Sequence, residues 1–502
     1  MNHHSGYACA FCARFVRCAV VIGAAWVLSA CGSGETPEPL EPPADLEAFE
    51  AHDYSSGVAP AARPDNVLFI ILDAFHGAHS SLLGYDRETT PKLDALAENG
   101  VYFTAAHSQS SNTVSSTLSF LTGQYLAAPA GANADYFVCD GSYTLAESFS
   151  DAGFATGGFS ANTWIAPRLQ FDRGFDHFEH ITPVDPSDDV NRYRRRRPGA
   201  EAELIEHAQE WIASSTDENW FCYLHLLRPH TPYESPEGFQ DRFVTDKSAD
   251  SSWAEASRIL TRALGGNTTP EGTQMLHDVY DGNILYADHL VGALLEWLRS
   301  VDEFSNTLIV IASDHGEAFM QHGEIGHNST VYEEMIHVPM IVHAPASMGF
   351  KARGIETPVE MVDLFPTFAE IFSLPVRRPL HGKSLLGLLS GVTAPHKDVH
   401  FSQTSSADFL SVRKGDLKVI AKRRAYSFYD PVELYDLAAD PDERRNLLEE
   451  NSNIPAHRDL LESYRRRYYL RQDECAVEQE PGAAPELTDE DMETLKSLGY
   501  FE

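Results

Sequence analysis

One stretch, residues 308–327, limits the folds open to this 502-residue chain more than any other, and it reads LIVIASDHGEAFMQHGEIGH. Its first four residues are apolar and mostly β-branched, which is typical of a parallel strand covered on both faces. The ionisable residues Asp314, His315 and Glu317 follow where that strand is expected to end. Because ligands of open α/β sheets bind at the carboxyl ends of strands, the stretch predicts a metal or ligand site. A plain polar turn is the alternative, and only partners elsewhere in the chain can decide between them.

Strand-like apolar runs alternate with helix-like segments through the middle of the chain. The strand patterns cover residues 66–72, 101–104, 155–160, 220–227, 308–313 and 338–343, and the helical patterns cover 91–100, 115–123, 144–153, 201–214 and 279–300. This alternation predicts an α/β fold with a mainly parallel sheet flanked by helices. From about residue 396, short segments such as LSVRKGDLKVIAKR and FYDPVELYDL predict a small antiparallel sheet followed by a helix.

The charge of the chain is strongly acidic. Its 38 basic and 74 acidic side chains give a net charge of −36, a surface that repels nucleic acids. A hydrophobic content of 43% and a charged content of 22% are ordinary for a globular protein and argue against a polytopic membrane protein. The basic run RYRRRR at residues 192–197 is the exception; it favours a solvated loop, with a docking patch for an anionic substrate as the alternative.

The first thirty residues have the features of a secretory signal. Arg14 and Arg17 precede an apolar run, no acidic residue occurs, and the run ends in LSAC, which resembles a bacterial lipobox. We therefore expect a lipoprotein that begins at Cys31, anchored by its lipid to a bacterial cell envelope membrane and facing the periplasm or exterior. Plain secretion and an uncleaved anchor are the alternatives. Of the remaining cysteines, Cys139, Cys222 and Cys475, one pair could form a disulfide, while the apolar run around Cys222 favours a buried thiol there.

Three further residues lie where strands end or helices begin. Asp73 ends the first strand, Thr113 precedes a helix, and His230 follows the strand at 220–227. Singly they indicate a turn former, a helix cap and a loop residue. Together with Asp314 and His315 they favour one common site.

With these residues together, the chain resembles the sulfatase family of the alkaline phosphatase superfamily. The resemblance covers nearly the whole chain after the signal and implies a central mixed sheet flanked by helices, with a small C-terminal antiparallel sheet. It is carried by NVLFIILDAFHGAHSSLLGY, TPKLDALAENGVYFTAAHSQ, TVSSTLSFLTGQY, FDRGFDHF, YLHLLRPHTPY, SDHGEAFMQHGEIGHNSTVYEEMIHVPMIV, HGKSLLGLL and ELYDLAADPDERRNLL.

The family attacks a sulfate or phosphate ester with a metal-activated oxygen nucleophile at the start of a helix. Counted back from Thr122, the nucleophile position of the family's Cys-x-Pro-Ser-Arg motif falls on Thr113. Sulfatases convert cysteine or serine at this position to formylglycine, an aldehyde that threonine cannot give. The proline and arginine of the motif are also replaced, by Ser115 and Thr117.

Other departures point in the same direction. Ala74 stands where calcium-binding sulfatases usually carry a second aspartate, and His315 stands where many have asparagine. The Gly-Lys-Trp-His stretch that grips sulfate in many sulfatases is also missing. Imidazole favours zinc or manganese over calcium. The site resembles that of phosphoethanolamine and phosphoglycerol transferases, which use threonine but usually carry several N-terminal membrane helices that are not found in this sequence.

The resemblance thus implies a metal-dependent ester hydrolase with one divalent ion, manganese or zinc favoured over calcium. The expected metal ligands are Asp73, Asp314 and His315, and the expected catalytic residues are Thr113 as nucleophile, His230 as proton donor to the leaving oxygen and His327 as a contact to a non-bridging oxygen. The leading hypothesis is hydrolysis of phosphate mono- or diesters, in a phosphorylated or sulfated small molecule or glycan.

Two alternatives stay open. The first is a true sulfatase acting on sulfated glycans or aryl sulfates, with Thr113 acting directly or with Ser115 or Ser116 in its place. The second is a non-catalytic lipoprotein that binds anionic glycans. The sequence does not fix the oligomeric state.

The expected organisation has five parts. They are a lipoprotein signal peptide at 1–30, a Pro/Glu-rich tether at 31–64, a sulfatase-like catalytic domain at 65–395, a C-terminal α+β subdomain at 396–475, and an acidic tail with a short helix at 476–502. Asp281 and Asp288 are expected to face solvent. His76, His79 and His322 are expected to flank the metal site without binding the ion.

Overall fold

The computed structural model describes residues 53–125, 138, 141–182, 196–246, 250–392, 396–425 and 428–450. The predicted signal peptide, most of the tether, the acidic tail, and Cys31, Cys139 and Cys475 lie outside these residues. The strands are β1 (Asn66–Leu72), β2 (Val101–His107), β3 (Ala155–Ser160), β4 (His177–His180), β5 (Trp220–Leu226), β6 (Thr307–Ala312), β7 (Ala318–Phe319), β8 (Ile325–Gly326), β9 (His337–His343), β10 (Arg353–Ile355), β11 (Val359–Glu360), β12 (Val399–Gln403), β13 (Phe409–Lys414), β14 (Leu417–Ala425) and β15 (Phe428–Asp436). The α-helices are α1 (Pro91–Ala97), α2 (Thr113–Thr122), α3 (Leu145–Asp151), α4 (Ala200–Ser214), α5 (Trp253–Leu264), α6 (Pro270–Ser300), α7 (Glu333–Ile336), α8 (Leu364–Phe372), α9 (Leu386–Leu389) and α10 (Leu447–Glu450).

A large sheet forms the centre of the molecule, in the order β10-β2-β9-β6-β1-β5-β3-β4, with β11 also paired to β2. Among the described strands of this sheet, β9 alone runs antiparallel to its neighbours, β2 and β6. The other pairs are parallel. The predicted α/β class, a mixed and mainly parallel sheet flanked by helices, is therefore confirmed.

The central strand β1 is buried along its whole length because both faces of the sheet are covered. Val67, Phe69 and Ile71 pack into the hydrophobic core on one face. Leu68 and Ile70 pack into the core on the other. This is why the strand has a continuous apolar sequence rather than an alternating one.

The C-terminal part of the described chain forms a second sheet, an antiparallel meander in the order β12-β13-β14-β15. It lies within the predicted subdomain at 396–475 and confirms the small antiparallel sheet. An ion pair joins it to helix α7, which directly precedes β9: Lys418 of β14 contacts Glu333 at 2.8 Å.

The predicted start of the long helix was wrong, because α6 begins at Pro270 rather than at residue 279. The chain also forms helix α5, for which the sequence analysis predicted no element. The Ser252 and Thr269 side chains accept hydrogen bonds from backbone N–H groups at the two N-termini, so each helix has an N-cap that the sequence analysis overlooked. Among the described residues, no helix is long and apolar enough to cross a membrane.

The two acids of α6 that were expected to face solvent are buried, so that prediction was also wrong. The Asp288 carboxylate accepts hydrogen bonds from the backbone N–H groups of Lys92 and Leu93 at the start of α1. The Asp281 carboxylate contacts the His79 imidazole at 2.6 Å and also accepts hydrogen bonds from Tyr85 and Arg87. Both acids therefore fasten neighbouring segments to the long helix.

Candidate active site and metal centre

The sheet topology brings the predicted site residues to one edge. β1 lies between β5 and β6, and the three strands are parallel. Asp73 follows β1, Asp314 and His315 follow β6, and His230 comes four residues after β5. The backbone N–H of His230 donates to the carbonyl of Asp73 at 3.0 Å, which ties the two loops together.

Three buried side chains at this edge form the single group of acids and histidines in the described chain that is able to hold a metal ion. They are Asp73, Asp314 and His315, and each offers one ligand atom, all within 4.8 Å of one another. The predicted ligand set therefore comes together, although the roles of these residues stay predictions. His76, His79 and His322 lie outside the group.

Backbone donors hold one oxygen of Asp314. Its Oδ1 accepts hydrogen bonds from the backbone N–H groups of Ala74 at 3.1 Å and His315 at 2.9 Å. Ala74 reaches this position with a φ of 58°, a left-handed conformation that non-glycine residues adopt rarely. The second oxygen, Oδ2, has no hydrogen-bond partner among the described residues and lies 3.6 Å from Nε2 of His315.

Asp73 shows the same asymmetry. Its Oδ2 accepts hydrogen bonds from Nδ2 of Asn162 and from Nε2 of His225, the latter at 3.2 Å. Its Oδ1 has no partner among the described residues and lies 3.7 Å from Nε2 of His315. Each carboxylate thus keeps one buried oxygen directed at the same imidazole nitrogen.

The protonation of these groups fits a divalent cation. Nδ1 of His315 lies 2.8 Å from the carbonyl oxygen of Gly316, so Nδ1 carries the proton and Nε2 presents a lone pair. Burial raises the pKa of Asp73 to about 7. Burial, and next the charge of Asp73, raise the pKa of Asp314. A bound cation would relieve this cost, because it favours the charged form of both carboxylates.

Thr113 begins helix α2 rather than preceding it, and its side chain is fully buried. Its Oγ1 lies 3.1 Å from Nε2 of His315. The preceding residue, Asn112, is the N-cap, and its side chain accepts a hydrogen bond from the backbone N–H of Ser115. The threonine hydroxyl therefore lies both at a helix N-terminus, which favours anions, and beside the candidate metal ligands.

The two serines considered as substitutes for Thr113 have hydroxyls that are engaged elsewhere. Oγ of Ser116 donates to the carbonyl oxygen of Asp314 at 2.6 Å. Oγ of Ser115 contacts Oγ of Ser110 at 2.8 Å. Both act as structural links behind the site, so the geometry favours Thr113 as the nucleophile.

The two other histidines of the predicted site lie beside this group: His327 packs against His315, and His230 packs against His327. The His327 ring centroid is 4.4 Å from that of His315 and 4.9 Å from that of His230. Nδ1 of His230 lies 2.6 Å from the carbonyl oxygen of Thr231, and burial, followed by the charge of His327, lowers the pKa of His230 well below its ordinary value. His230 is therefore neutral in the resting site, with its proton on Nδ1.

The sequence analysis did not anticipate Asn162 and His225, and it named Glu317 without giving it a role. Asn162 follows the end of β3, and the strand-end rule that found Asp73 could have found it. His225 lies inside β5, where a single polar side chain in an apolar run was the available signal. Glu317 is 1% exposed, and its Oε1 lies 3.0 Å from Nδ1 of His327.

The basic run at residues 192–197 was expected to be a solvated loop. Its member Arg196 is instead buried and donates a hydrogen bond to the carbonyl oxygen of His230 at 2.5 Å, so the prediction was wrong for this residue.

Comparison with known families gives two matches along the chain. The model of the sulfatase family matches residues 65–374. A second model, described as N-sulphoglucosamine sulphohydrolase, C-terminal, matches residues 323–467.

Curated relatives are similar at a low level. Arylsulfatase K of Mus musculus is 25% identical over 299 residues, which is 53% of each chain. Choline-sulfatase of Rhizobium meliloti is 29% identical over 263 residues, which is 49% of each chain. The chain thus spans about half the length of these two relatives.

Solved structures share the fold. The phosphonate monoester hydrolase of Agrobacterium radiobacter aligns with a TM-score of 0.62 at 20% identity, covering 85% of this chain and 99% of that one. A putative sulfatase from Bacteroides thetaiotaomicron aligns with a TM-score of 0.63 at 22% identity, covering 85% and 97%. At these identities the likeness establishes the architecture alone.

Proposed function

The chain belongs to the sulfatase family of hydrolases, and we propose that it cleaves phosphate mono- or diesters with Thr113 as the nucleophile. The observation that carries the proposal is the 3.1 Å contact between Oγ1 of Thr113 and Nε2 of His315 at the start of α2. A phosphonate monoester hydrolase among the structures of similar fold is compatible with phosphoryl chemistry.

Asp73, Asp314 and His315 would hold one divalent ion through Oδ1, Oδ2 and Nε2 respectively. When bound, the ion would lower the pKa of the Thr113 hydroxyl and offset charge on the group transferred. A histidine ligand favours manganese or zinc over calcium. Oδ1 of Asp73 and Oδ2 of Asp314 are buried and have no hydrogen-bond partner in the described part of the chain, which supports this assignment.

The reaction would proceed in two displacements. Thr113 loses its proton to solvent, its Oγ1 forms a bond to phosphorus, and the bond from phosphorus to the ester oxygen breaks. A monoester leaves phosphothreonine, and a diester leaves a phosphodiester that joins Thr113 to the remaining alcohol. His230 gives a proton to the departing oxygen. Water then attacks the phosphorus of this intermediate, His230 takes a proton from that water, and the bond from phosphorus to Oγ1 breaks. Oγ1 takes a proton from solvent, and the product leaves as phosphate from a monoester or as a phosphate monoester from a diester.

The resting state of His230 adds one requirement to this scheme. Its Nδ1 proton is held by the carbonyl of Thr231, so it can donate from Nε2 only as an imidazolium. An anionic substrate beside the ring favours that charged form. Binding of the ester would therefore charge the acid that the reaction needs, while His327 contacts a non-bridging oxygen.

A second candidate is hydrolysis of sulfate esters by the same residues. It is favoured by the curated relatives, which are named as sulfatases. The two candidates differ in the group transferred to Thr113 rather than in the residues involved.

A substrate panel separates them. The purified protein and its Thr113→Ala variant would be assayed on an aryl phosphate, an aryl phosphodiester and an aryl sulfate, with Ser115→Ala as the matched control. We expect phosphoester turnover that falls at least about 10³-fold in Thr113→Ala and persists in Ser115→Ala. Sulfate turnover that is indifferent to Thr113→Ala would overturn the proposal, and tight substrate binding without turnover would favour the non-catalytic alternative.

We also propose that the protein is lipid-anchored through Cys31 and faces the periplasm or exterior. The LSAC sequence at residues 28–31 supports this, and it lies outside the residues that the structure describes. Palmitate labelling that is lost in Cys31→Ala is expected, and an unlabelled, freely released protein would contradict it.

A further inference from the structure

The carboxylate of Asp73 is bound asymmetrically by side chains that have no assigned role. Asn162 and His225 both donate to Oδ2, so Oδ1 is left to face His315. All of these side chains are fully buried. The two oxygens of one carboxylate therefore have different environments before any ion binds.

The proton positions in this group follow from the contacts. The ionised Asp73 carboxylate can only accept, so Nε2 of His225 must donate to it. A neutral imidazole has a single N–H, which leaves Nδ1 of His225 as an acceptor. The Tyr223 hydroxyl, 2.8 Å from Nδ1, must then be the donor. Tyr223, His225 and Asp73 thus form a chain of hydrogen bonds with one consistent direction.

This direction argues against His225 as an additional metal ligand. Its Nε2 lies 4.0 Å from Oδ2 of Asp314 and is near the candidate centre. Because Nε2 carries the proton donated to Asp73, it has no lone pair for an ion.

The supports are also rigid. His225 lies on β5, directly opposite Ile71 of β1 and Ser160 of β3, and Asn162 comes two residues after that serine. Three neighbouring strands of the central sheet therefore set the distances within the group. On Asp314, backbone N–H groups perform the equivalent task, since they bind Oδ1 and leave Oδ2 directed at His315.

We propose that Asn162 and His225, with Tyr223 behind His225, are positioning residues that select Oδ1 of Asp73 as a metal ligand. The proposal rests on the metal-binding role of Asp73 given under the proposed function. Outer partners that orient a ligand typically change metal affinity by about 10- to 100-fold when removed. Without them the carboxylate could rotate and present either oxygen.

The test is calorimetric titration of Mn²⁺ into the full chain after chelator treatment, which needs no turnover. We expect the dissociation constant to rise about 10- to 100-fold in Asn162→Leu and in His225→Leu, and by less in Tyr223→Phe. His225→Gln keeps an N–H donor near the position of Nε2 and should recover most of the affinity. Tyr429→Phe removes a buried tyrosine hydroxyl that donates to Ala407 in the C-terminal sheet, and it should bind as the unmodified protein does.

Thermal unfolding of the metal-free variants separates positioning from folding. A positioning role leaves the melting temperature of metal-free His225→Gln and Tyr223→Phe near that of the parent while the affinity of Tyr223→Phe falls. Unchanged Mn²⁺ affinity in both leucine variants would overturn the positioning proposal and leave the metal site standing. If the leucine variants do not fold, unchanged Mn²⁺ affinity in Tyr223→Phe would have the same consequence. Loss of affinity in His225→Gln equal to that in His225→Leu would indicate a direct ligand instead and would also overturn it. A parent protein that binds no Mn²⁺ would overturn the metal site itself, and this proposal with it.

Discussion

Oγ1 of Thr113 lies 3.1 Å from Nε2 of His315, although 202 residues separate them in the chain. The contact joins the start of α2 to the end of β6 at the carboxyl edge of a parallel sheet. Two carboxylate oxygens that have no hydrogen-bond partner among the described residues lie within 3.7 Å of the same nitrogen. A nucleophile position, a candidate metal centre and a helix N-terminus therefore coincide.

Metal removal should abolish activity reversibly. Asp73 and Asp314 are buried acids whose charge a divalent ion would offset, so chelation should reduce turnover at least about 100-fold and lower the melting temperature. Manganese or zinc should restore both properties, and calcium should not. Metal analysis of the purified protein with and without chelation checks this, with Asp314→Asn as a variant that should retain no ion. Full activity in thoroughly chelated protein would refute the metal assignment.

His327 should act mainly in substrate binding. Its Nδ1 is held by Oε1 of buried Glu317, which orients the ring toward His315. We expect His327→Ala to raise KM at least about 10-fold with a smaller loss of kcat, because a contact to a non-bridging oxygen is present before the reaction begins. Glu317→Gln keeps an acceptor for Nδ1 and should raise KM only a few-fold.

Steady-state kinetics on a phosphodiester provide the measurement for this pair. His207→Ala is a suitable control, because His207 also pairs with a glutamate, Glu179, at 2.6 Å but lies half-exposed on α4. A His327→Ala variant with normal KM and a large loss of kcat would show that this residue acts in the chemical step instead.

A buried ion cluster beside the C-terminal sheet should dominate local stability. Nζ of Lys397 lies 2.5 Å from carboxylate oxygens of both Glu360 and Asp363, and the lysine side chain is 2% exposed. Lys397→Met removes the ammonium that the two buried acids share, leaves Asp363 with His396 at 3.1 Å, and should cost about 3–5 kcal/mol in the free energy of unfolding. Lys414→Met, which removes an exposed pair with Asp398, should cost about 1 kcal/mol or less. Urea denaturation measures both, and equal costs would contradict the argument.

The same cluster predicts a dependence on pH. Burial alone would raise the pKa of Asp363 and of Glu360, but the Lys397 ammonium outweighs it and lowers both. Because the pKa of these acids is lower in the folded state, their ion pairs with Lys397 stabilise the fold above the pKa of the unfolded chain, about 4. This stabilisation is lost as the pH falls below that pKa. The unfolding free energy of the parent should therefore drop below about pH 4. That of Lys397→Met should drop less, and it still drops because Glu201 and Glu333 also have lowered pKa values. Identical pH profiles for the two proteins would exclude the cluster as the cause.

The sequence predicted the site residues that lie where strands end at the carboxyl edge of the sheet. It did not predict the roles of residues that depend on a contact with another side chain. Asp73 and Asp314 could be found because each ends an apolar run, and the carboxyl ends of parallel strands meet at one edge. Thr113 could be placed by the resemblance to the family's motif, counted back from Thr122 and Gly123. Asn162 lies just after a strand and His225 interrupts an apolar run, but neither signal gives a role, because the role is a hydrogen bond to Asp73 across strands that are distant in sequence.

The prediction that the two acids of α6 face solvent was wrong for a related reason. Asp281 and Asp288 have the spacing of an exposed helical face, but the loop after β1 and helix α1 cover that face. Their burial is set by tertiary contacts with Tyr85, Arg87 and the start of α1, which periodicity does not contain. Helical spacing indicated which side chains share a face, whereas the packing of the chain decided what that face meets.

The most direct test of the account is to trap the covalent intermediate. The protein would be mixed with an aryl phosphodiester, quenched in acid during turnover and analysed by peptide mass spectrometry. We predict a phosphoryl or phosphodiester group on Thr113 that is absent from Thr113→Ala. Modification of Ser115 or Ser116 instead, or undiminished turnover by Thr113→Ala, would contradict the central claim.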